Sequence, residues 1–147
     1  MNIFILDTNP EIAAAYHADK HLSKMVLESA QMLSTVLDGP YRPTHANHPC
    51  TLWVGRSRAN AEWLWHLADM LNLEYRGRYN KSADHKSWGV IAALTGKIKT
   101  LPDRGLTPFA QAMPEEYKDQ DAVTAYRTYY RSKPFVNWAK GTIPEWW

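Results

Sequence analysis

Leu22, Met25, Val26, Ala30, Leu33 and Leu37 recur at the spacing of one helical face, and His17, His21, Lys24, Glu28 and Gln31 recur at the same spacing on another. The polar offsets of 4, 3, 4 and 3 residues fit a 3.6-residue period and exclude a strand, whose period is two. A helix is therefore predicted from about Asn9 to Leu37, either continuous or broken once early on. Thr8-Asn9-Pro10-Glu11 reads as its capping box, and Asp38-Gly39-Pro40 as its stop.

The remaining elements follow the same period. Leu64, Leu67, Ala68, Leu71 and Tyr75 mark an amphipathic helix over about 57–79, and Trp88, Ile91, Ala92 and Thr95 mark a third over about 84–98. Asn47 is placed as the cap of a short helix with Pro49 in its first turn, and Thr107-Pro108 as the start of another short turn. A last helix is expected over about 120–132, ahead of an irregular but packed aromatic tail. Strand alternation is not sustained beyond Asn2–Leu6, an extended lead-in or an edge strand. The expected fold is all-α: a single compact domain of three main helices, with shorter ones around one core.

With 147 residues the chain can bury a sizeable core as one domain. One cysteine, Cys50, excludes an internal disulfide framework and fits a reducing compartment. The opening MNIFILD lacks a basic leader, and no apolar run approaches a membrane span, so an intracellular, cytoplasmic protein without membrane contact is expected. The net charge of +2 is too small to argue for nucleic acid by itself. Its distribution is uneven. Basic residues concentrate over 76–104 and 126–140, while Glu115, Glu116, Asp119 and Asp121 gather the acids, which can leave a basic face on a nearly neutral protein.

Phosphate-loop, CxxC, HExxH and GxSxG motifs are absent, and nothing around Cys50 would stabilise a thiolate. The polar stripe supplies two imidazoles, an amine and a carboxylate within a few turns. Those are the parts for proton transfer and amine chemistry, although a solvated face with a Lys24–Glu28 pair would use the same residues. His17 and His21, with Asp19, His45 or His48 added, could also be read as metal ligands, but the helical pair lacks the HExxH glutamate. In the C-terminal third, Tyr126, Tyr129, Tyr130, Phe135 and Trp138 interleave with Arg127, Arg131, Lys133 and Lys140. Aromatic faces can stack on unpaired bases while the cations follow phosphates. The alternative for each aromatic is core packing. Arg42, Thr44, His45, Asn47 and His48 flank a helix start that could receive a phosphate.

The segment from Tyr16-His17-Ala18-Asp19-Lys20-His21 through Lys24, Glu28 and Gln31, followed by Asn47-His48-Pro49 and the helix over 53–79, resembles the pyrimidine-dimer DNA glycosylases. These are small all-α glycosylase/AP lyases, the best known of them phage-encoded. The likeness spans roughly the first eighty residues. It implies double-stranded DNA with a damaged or modified base as partner, an extruded nucleotide, no cofactor, a monomer, and action in the cytoplasm of a host cell. It also implies attack by the chain's own N-terminal amine on C1′ and assistance by a glutamate of the first long helix, a position Glu28 matches. His21 and Lys24 match the flanking polar positions. Arg127, Tyr130, Arg131, Lys133 and Trp138 resemble the lesion-contacting segment in character.

An α-amine has a pKa near 8 against about 10.4 for lysine, so far more of it is a neutral nucleophile at pH 7. Asn2 departs from the small second residue of that family and favours retention of Met1. The nucleophile is then the Met1 amine, Lys24, or a water activated by Glu28. His17, His21 and Lys24 are expected to position phosphate or move protons, Gln31 to orient Glu28, and Arg42 and His48 to form the opposite wall. The alternatives are a non-enzymatic nucleic-acid-binding module, a metal-dependent hydrolase using His17, His21 and His48, and a pocket for a free nucleotide or other small ligand.

Overall fold

The computed structural model describes residues 1–147. The chain forms α1 (Pro10–Tyr16), α2 (Asp19–Leu37), α3 (Pro49–Arg56), α4 (Arg58–Arg78), α5 (Trp88–Ala93) and α6 (Ala122–Arg131), with 3₁₀ turns at Thr95–Thr100 and Glu115–Tyr117. There are no strands, and the all-α expectation holds. No helix is long and apolar enough to cross a membrane.

The long helix expected from Asn9 is two helices. His17 and Ala18 take ψ values of 136° and 152°, which break the ladder before Asp19. The cap is Asn9 rather than Thr8, its side chain accepting from the Glu11 and Ile12 amides. At the other end of α2, Asp38 adopts a left-handed conformation with φ 54°. Gly39 follows so closely that a Cβ there would lie 2.8 Å from Ser34 Oγ. Here the chain requires glycine for space, not for its dihedral freedom.

Ser57 caps α4 by accepting from the Asn60 amide, and that helix runs within a residue of expectation at each end. The third expected helix is shorter: α5 stops at Ala93 and continues as a 3₁₀ turn. Residues 107–113 form no helix.

One cluster of 30 buried apolar residues holds these elements together, with α2 and α4 at its centre. The N-terminal segment is not an edge strand. Asn2 to Leu6 is threaded through the interior, with every one of those residues buried. Phe4 turns the segment with φ 61°, a region that costs a non-glycine residue on the order of 1–3 kcal/mol. The packing that holds it is aromatic: His21 at 4.7 Å, Tyr130 at 5.5 Å and Tyr126 at 5.8 Å between ring centroids. Phe4 to Leu6 and α6 thus lie across the polar face of α2, and that face is largely covered rather than solvated.

Candidate active site

The N-terminal segment, α2 and the start of α3 converge on Glu28. One carboxylate oxygen lies 3.6 Å from the Met1 α-amine. The other accepts the Asn2 backbone N–H at 3.1 Å. Glu28 is only 8% exposed, so this amine–carboxylate pair sits at the bottom of the surface rather than on it. Asn2 holds the segment in place. Its side-chain amide donates to the Ala112 carbonyl at 2.8 Å, and its Oδ1 accepts from the Ile3 amide and lies 2.9 Å from the Tyr126 hydroxyl. Cys50 Sγ approaches the same oxygen at 3.7 Å. Burial pushes the Cys50 thiol up to about 11, which leaves it protonated and unreactive, as the sequence suggested.

His48 forms the third corner. It caps α3, and its Nδ1 accepts the Cys50 amide at 3.1 Å. The neutral ring therefore carries its proton on Nε2. Burial lowers its pKa, and the positive chain terminus lowers it further, while Glu28 acts in the opposite sense. A neutral imidazole, a carboxylate and an amine thus share one electrostatic neighbourhood. One turn along α2, Leu27 and Gln31 border a cavity of about 340 Å³ whose far wall is Tyr41, Arg42 and Thr44. The loop is fixed by the Thr44 amide donating to Thr35 Oγ1 at 3.1 Å and by Tyr41 meeting Ser87 at 2.8 Å. Gln31 does not hydrogen-bond Glu28. The chain terminus orients that carboxylate instead, and Gln31 is left to line the cavity.

Several residues expected at the site lie elsewhere. His17 is fully buried at the end of α1, its Nδ1 2.7 Å from the Ala13 carbonyl. His21 is 2% exposed, packed between the tilted rings of Phe4 and Phe135, with Nδ1 2.9 Å from the Tyr130 hydroxyl. Burial lowers their pKa values to about 4 and about 3, so both are neutral core residues and neither holds phosphate. Tyr130 is fully buried and also accepts the Ala18 amide. Trp138 is buried and donates to the Tyr16 carbonyl at 3.0 Å. Neither can stack on a base, because each face already meets the protein.

Arg127 is committed to the Leu6 carbonyl at 2.9 Å and to Asp7 at 3.3 Å, and Arg131 to the Trp146 carbonyl. His48 is not gathered with His17 and His21, and no group of three or more His, Cys, Asp or Glu side chains has a metal-binding arrangement. Lys24 is exposed and has no carboxylate within ion-pair distance. Lys133 is half-buried, its ammonium 4.2 Å above the Tyr129 ring.

A scan against protein-family models, a search of curated proteins and a search of solved structures each give no match to this chain.

Proposed function

We propose that this chain is a DNA base-excision glycosylase with an amine-initiated AP-lyase step, acting on a damaged or modified pyrimidine. The observation that carries this reading is the contact of Glu28 with the Met1 amine and the Asn2 amide. It joins a nucleophilic amine to a carboxylate that can take up its proton. The resemblance read from the sequence implies the same two groups.

The steps balance on these groups. The deprotonated Met1 amine forms a bond to C1′, and the base leaves with the electrons of the glycosidic bond and a proton. Glu28, protonated by the amine, passes that proton to O4′ as the C1′–O4′ bond breaks, which opens the sugar to an imine and frees the carboxylate. Loss of a C2′ proton to Glu28 then expels the 3′ phosphate. The neutral His48 ring, with its proton on Nε2, is the donor for the departing base. The cavity bounded by Gln31, Tyr41 and Arg42 receives the extruded nucleotide, with the Gln31 amide facing the base and Arg42 the phosphate. Extrusion is least costly where the lesion already weakens pairing. Lys24, Arg42 and Lys133 supply the cationic surface for the duplex. Lys24 is the weaker candidate for nucleophile, because no carboxylate stands beside its ammonium.

Borohydride trapping tests this reading on UV-irradiated, abasic and modified-pyrimidine duplexes. Wild type and Lys24→Ala should both give a covalent adduct that peptide mapping places on Met1, and Glu28→Gln should not turn over. Base release without an adduct would replace the amine by a Glu28-activated water. Neither release nor adduct on any duplex would overturn the assignment.

A further inference from the structure

A second cavity lies away from Glu28. It measures about 410 Å³ and opens between the first half of α4 and the 3₁₀ turn Thr95–Thr100. None of its lining residues belongs to the site described above. Arg58, Glu62, Trp65 and His66 come from the helix, and Thr95 and Lys99 from the turn. This volume lies within the range of small-molecule sites.

The indole of Trp65 is fixed in orientation. Its Nε1 donates to Thr95 Oγ1 at 3.0 Å, the Trp88 ring lies 5.4 Å away, and the His66 ring stands perpendicular to it at 5.3 Å. The charged groups are differently placed. Lys99 and Glu62 are exposed and have neither an ionic nor a hydrogen-bonded partner. Arg58 uses Nε on the Leu101 carbonyl at 3.0 Å. Its only ionic contact is Asp103 at 3.7 Å, and Asp103 is 84% exposed, so that pairing is weak and its terminal nitrogens are available. The cavity therefore offers one unpaired cation, Lys99, a second, Arg58, held by Leu101 and only loosely by Asp103, an apolar aromatic wall and one carboxylate acceptor.

We propose that this cavity binds a nucleoside phosphate. The phosphate meets Arg58 and Lys99, the base lies along Trp65, and Glu62 accepts from an exocyclic amino group or a ribose hydroxyl. An inorganic anion would leave the indole wall and Glu62 unused, and an uncharged aromatic would leave both cations unused. A phosphorylated nucleoside engages all three features, through charge-assisted contacts at one end and stacking at the other. The source is either a free nucleotide or an unstacked nucleotide at a strand end.

Titration calorimetry on the full chain tests this, with 5′-AMP, adenosine, inorganic phosphate and a 5′-phosphorylated adenylate hexamer as probes. 5′-AMP should bind with a Kd of about 1 mM or tighter, and adenosine and phosphate each at least about tenfold more weakly. Lys99→Glu, an exposed substitution that spares the core, should weaken 5′-AMP by at least about tenfold. Trp65→Leu should weaken it as well, and Glu28→Gln should leave it unchanged. A hexamer that binds more tightly than 5′-AMP, with the same dependence on Lys99, identifies a strand end as the source, and equal affinities identify the free nucleotide. Absent heat with both 5′-AMP and the hexamer, or affinities equal in wild type and Lys99→Glu, would overturn the proposal. Loss of 5′-AMP binding in Glu28→Gln would also overturn it, by moving the ligand to the other site.

Discussion

The Glu28 carboxylate spans the first two residues of the chain, 3.6 Å from the Met1 amine and 3.1 Å from the Asn2 amide nitrogen. Glu28→Gln keeps the shape and one acceptor for the Asn2 amide but removes the proton-accepting charge. Base release should fall by roughly 10²–10⁴-fold, the usual range for loss of a general acid–base group. Duplex affinity and the helical circular dichroism should stay at wild-type levels. A variant that loses affinity and activity together would mean that Glu28 organises the surface rather than the reaction.

The Tyr130 hydroxyl accepts the Ala18 amide at 2.8 Å and meets His21 Nδ1 at 2.9 Å. Tyr130→Phe leaves both buried partners unsatisfied and should cost about 1–3 kcal/mol in urea unfolding. It should not change duplex affinity at a temperature where the variant is folded. That pairing of results separates a structural tyrosine from a base-stacking one.

His17 and His21 are buried as neutral rings, with pKa values lowered from 6.5 to about 4 and about 3. The unfolded chain binds more protons than the folded one between those values and about 6.5, so stability rises with pH across this window. It is fully present above the unfolded value and is lost as pH falls toward the folded values. Each histidine contributes a slope of up to about 1.4 kcal/mol per pH unit. His48 and His85, also lowered chiefly by burial, act in the same direction. Urea midpoints at pH 7.0, 6.0 and 5.0 should fall steadily, above the range where most carboxylates titrate. His21→Gln should flatten the curve. A flat wild-type profile would mean that these rings take up protons while folded.

Helix positions were legible because the apolar residues of α2 and α4 repeat with a period that no strand shares. An early break was open from the sequence, but its position at His17–Ala18 was not legible, because nothing in the local pattern interrupts the polar stripe there. The reason lies at long range: the Asp19 amide is taken by the Asn137 carbonyl, and the Ala18 amide by Tyr130. The same distance in sequence hid the cover over the stripe. Periodicity identified the face that carries His21 and Glu28 but could not show that Phe4, Tyr130 and Phe135 close over its first half. Glu28 was legible as a candidate. Asn2, Tyr126 and Cys50, which anchor the terminus beside it, carried no local signal. Their meeting depends on chain separations of 48 to 124 residues.

Arg78 fixes the junction that the sequence concealed. Its side chain is 5% exposed and donates to the Ala15 carbonyl at 2.8 Å, the His17 carbonyl at 2.7 Å, Asp19 at 3.2 Å and Glu74 at 2.9 Å. It therefore satisfies carbonyls at the end of α1 while pairing with the first residue of α2. The other Asp19 oxygen holds the Lys140 amide, which ties the tail to the same point. A lysine at 78 has one ammonium in place of the planar fork and cannot reach all four acceptors. Arg78→Lys should cost about 1–3 kcal/mol in urea unfolding, because the charge is kept but buried acceptors are left unsatisfied. Gly141 packs on this guanidinium so closely that an added Cβ would lie 2.8 Å from Arg78 Cζ. Gly141→Ala should therefore cost about 1–3 kcal/mol by displacing it. The two costs should not add, because the alanine in the Arg78→Lys background has no fork to displace. A double-mutant cycle that sums to the single changes would show that Gly141 acts on the tail independently of Arg78.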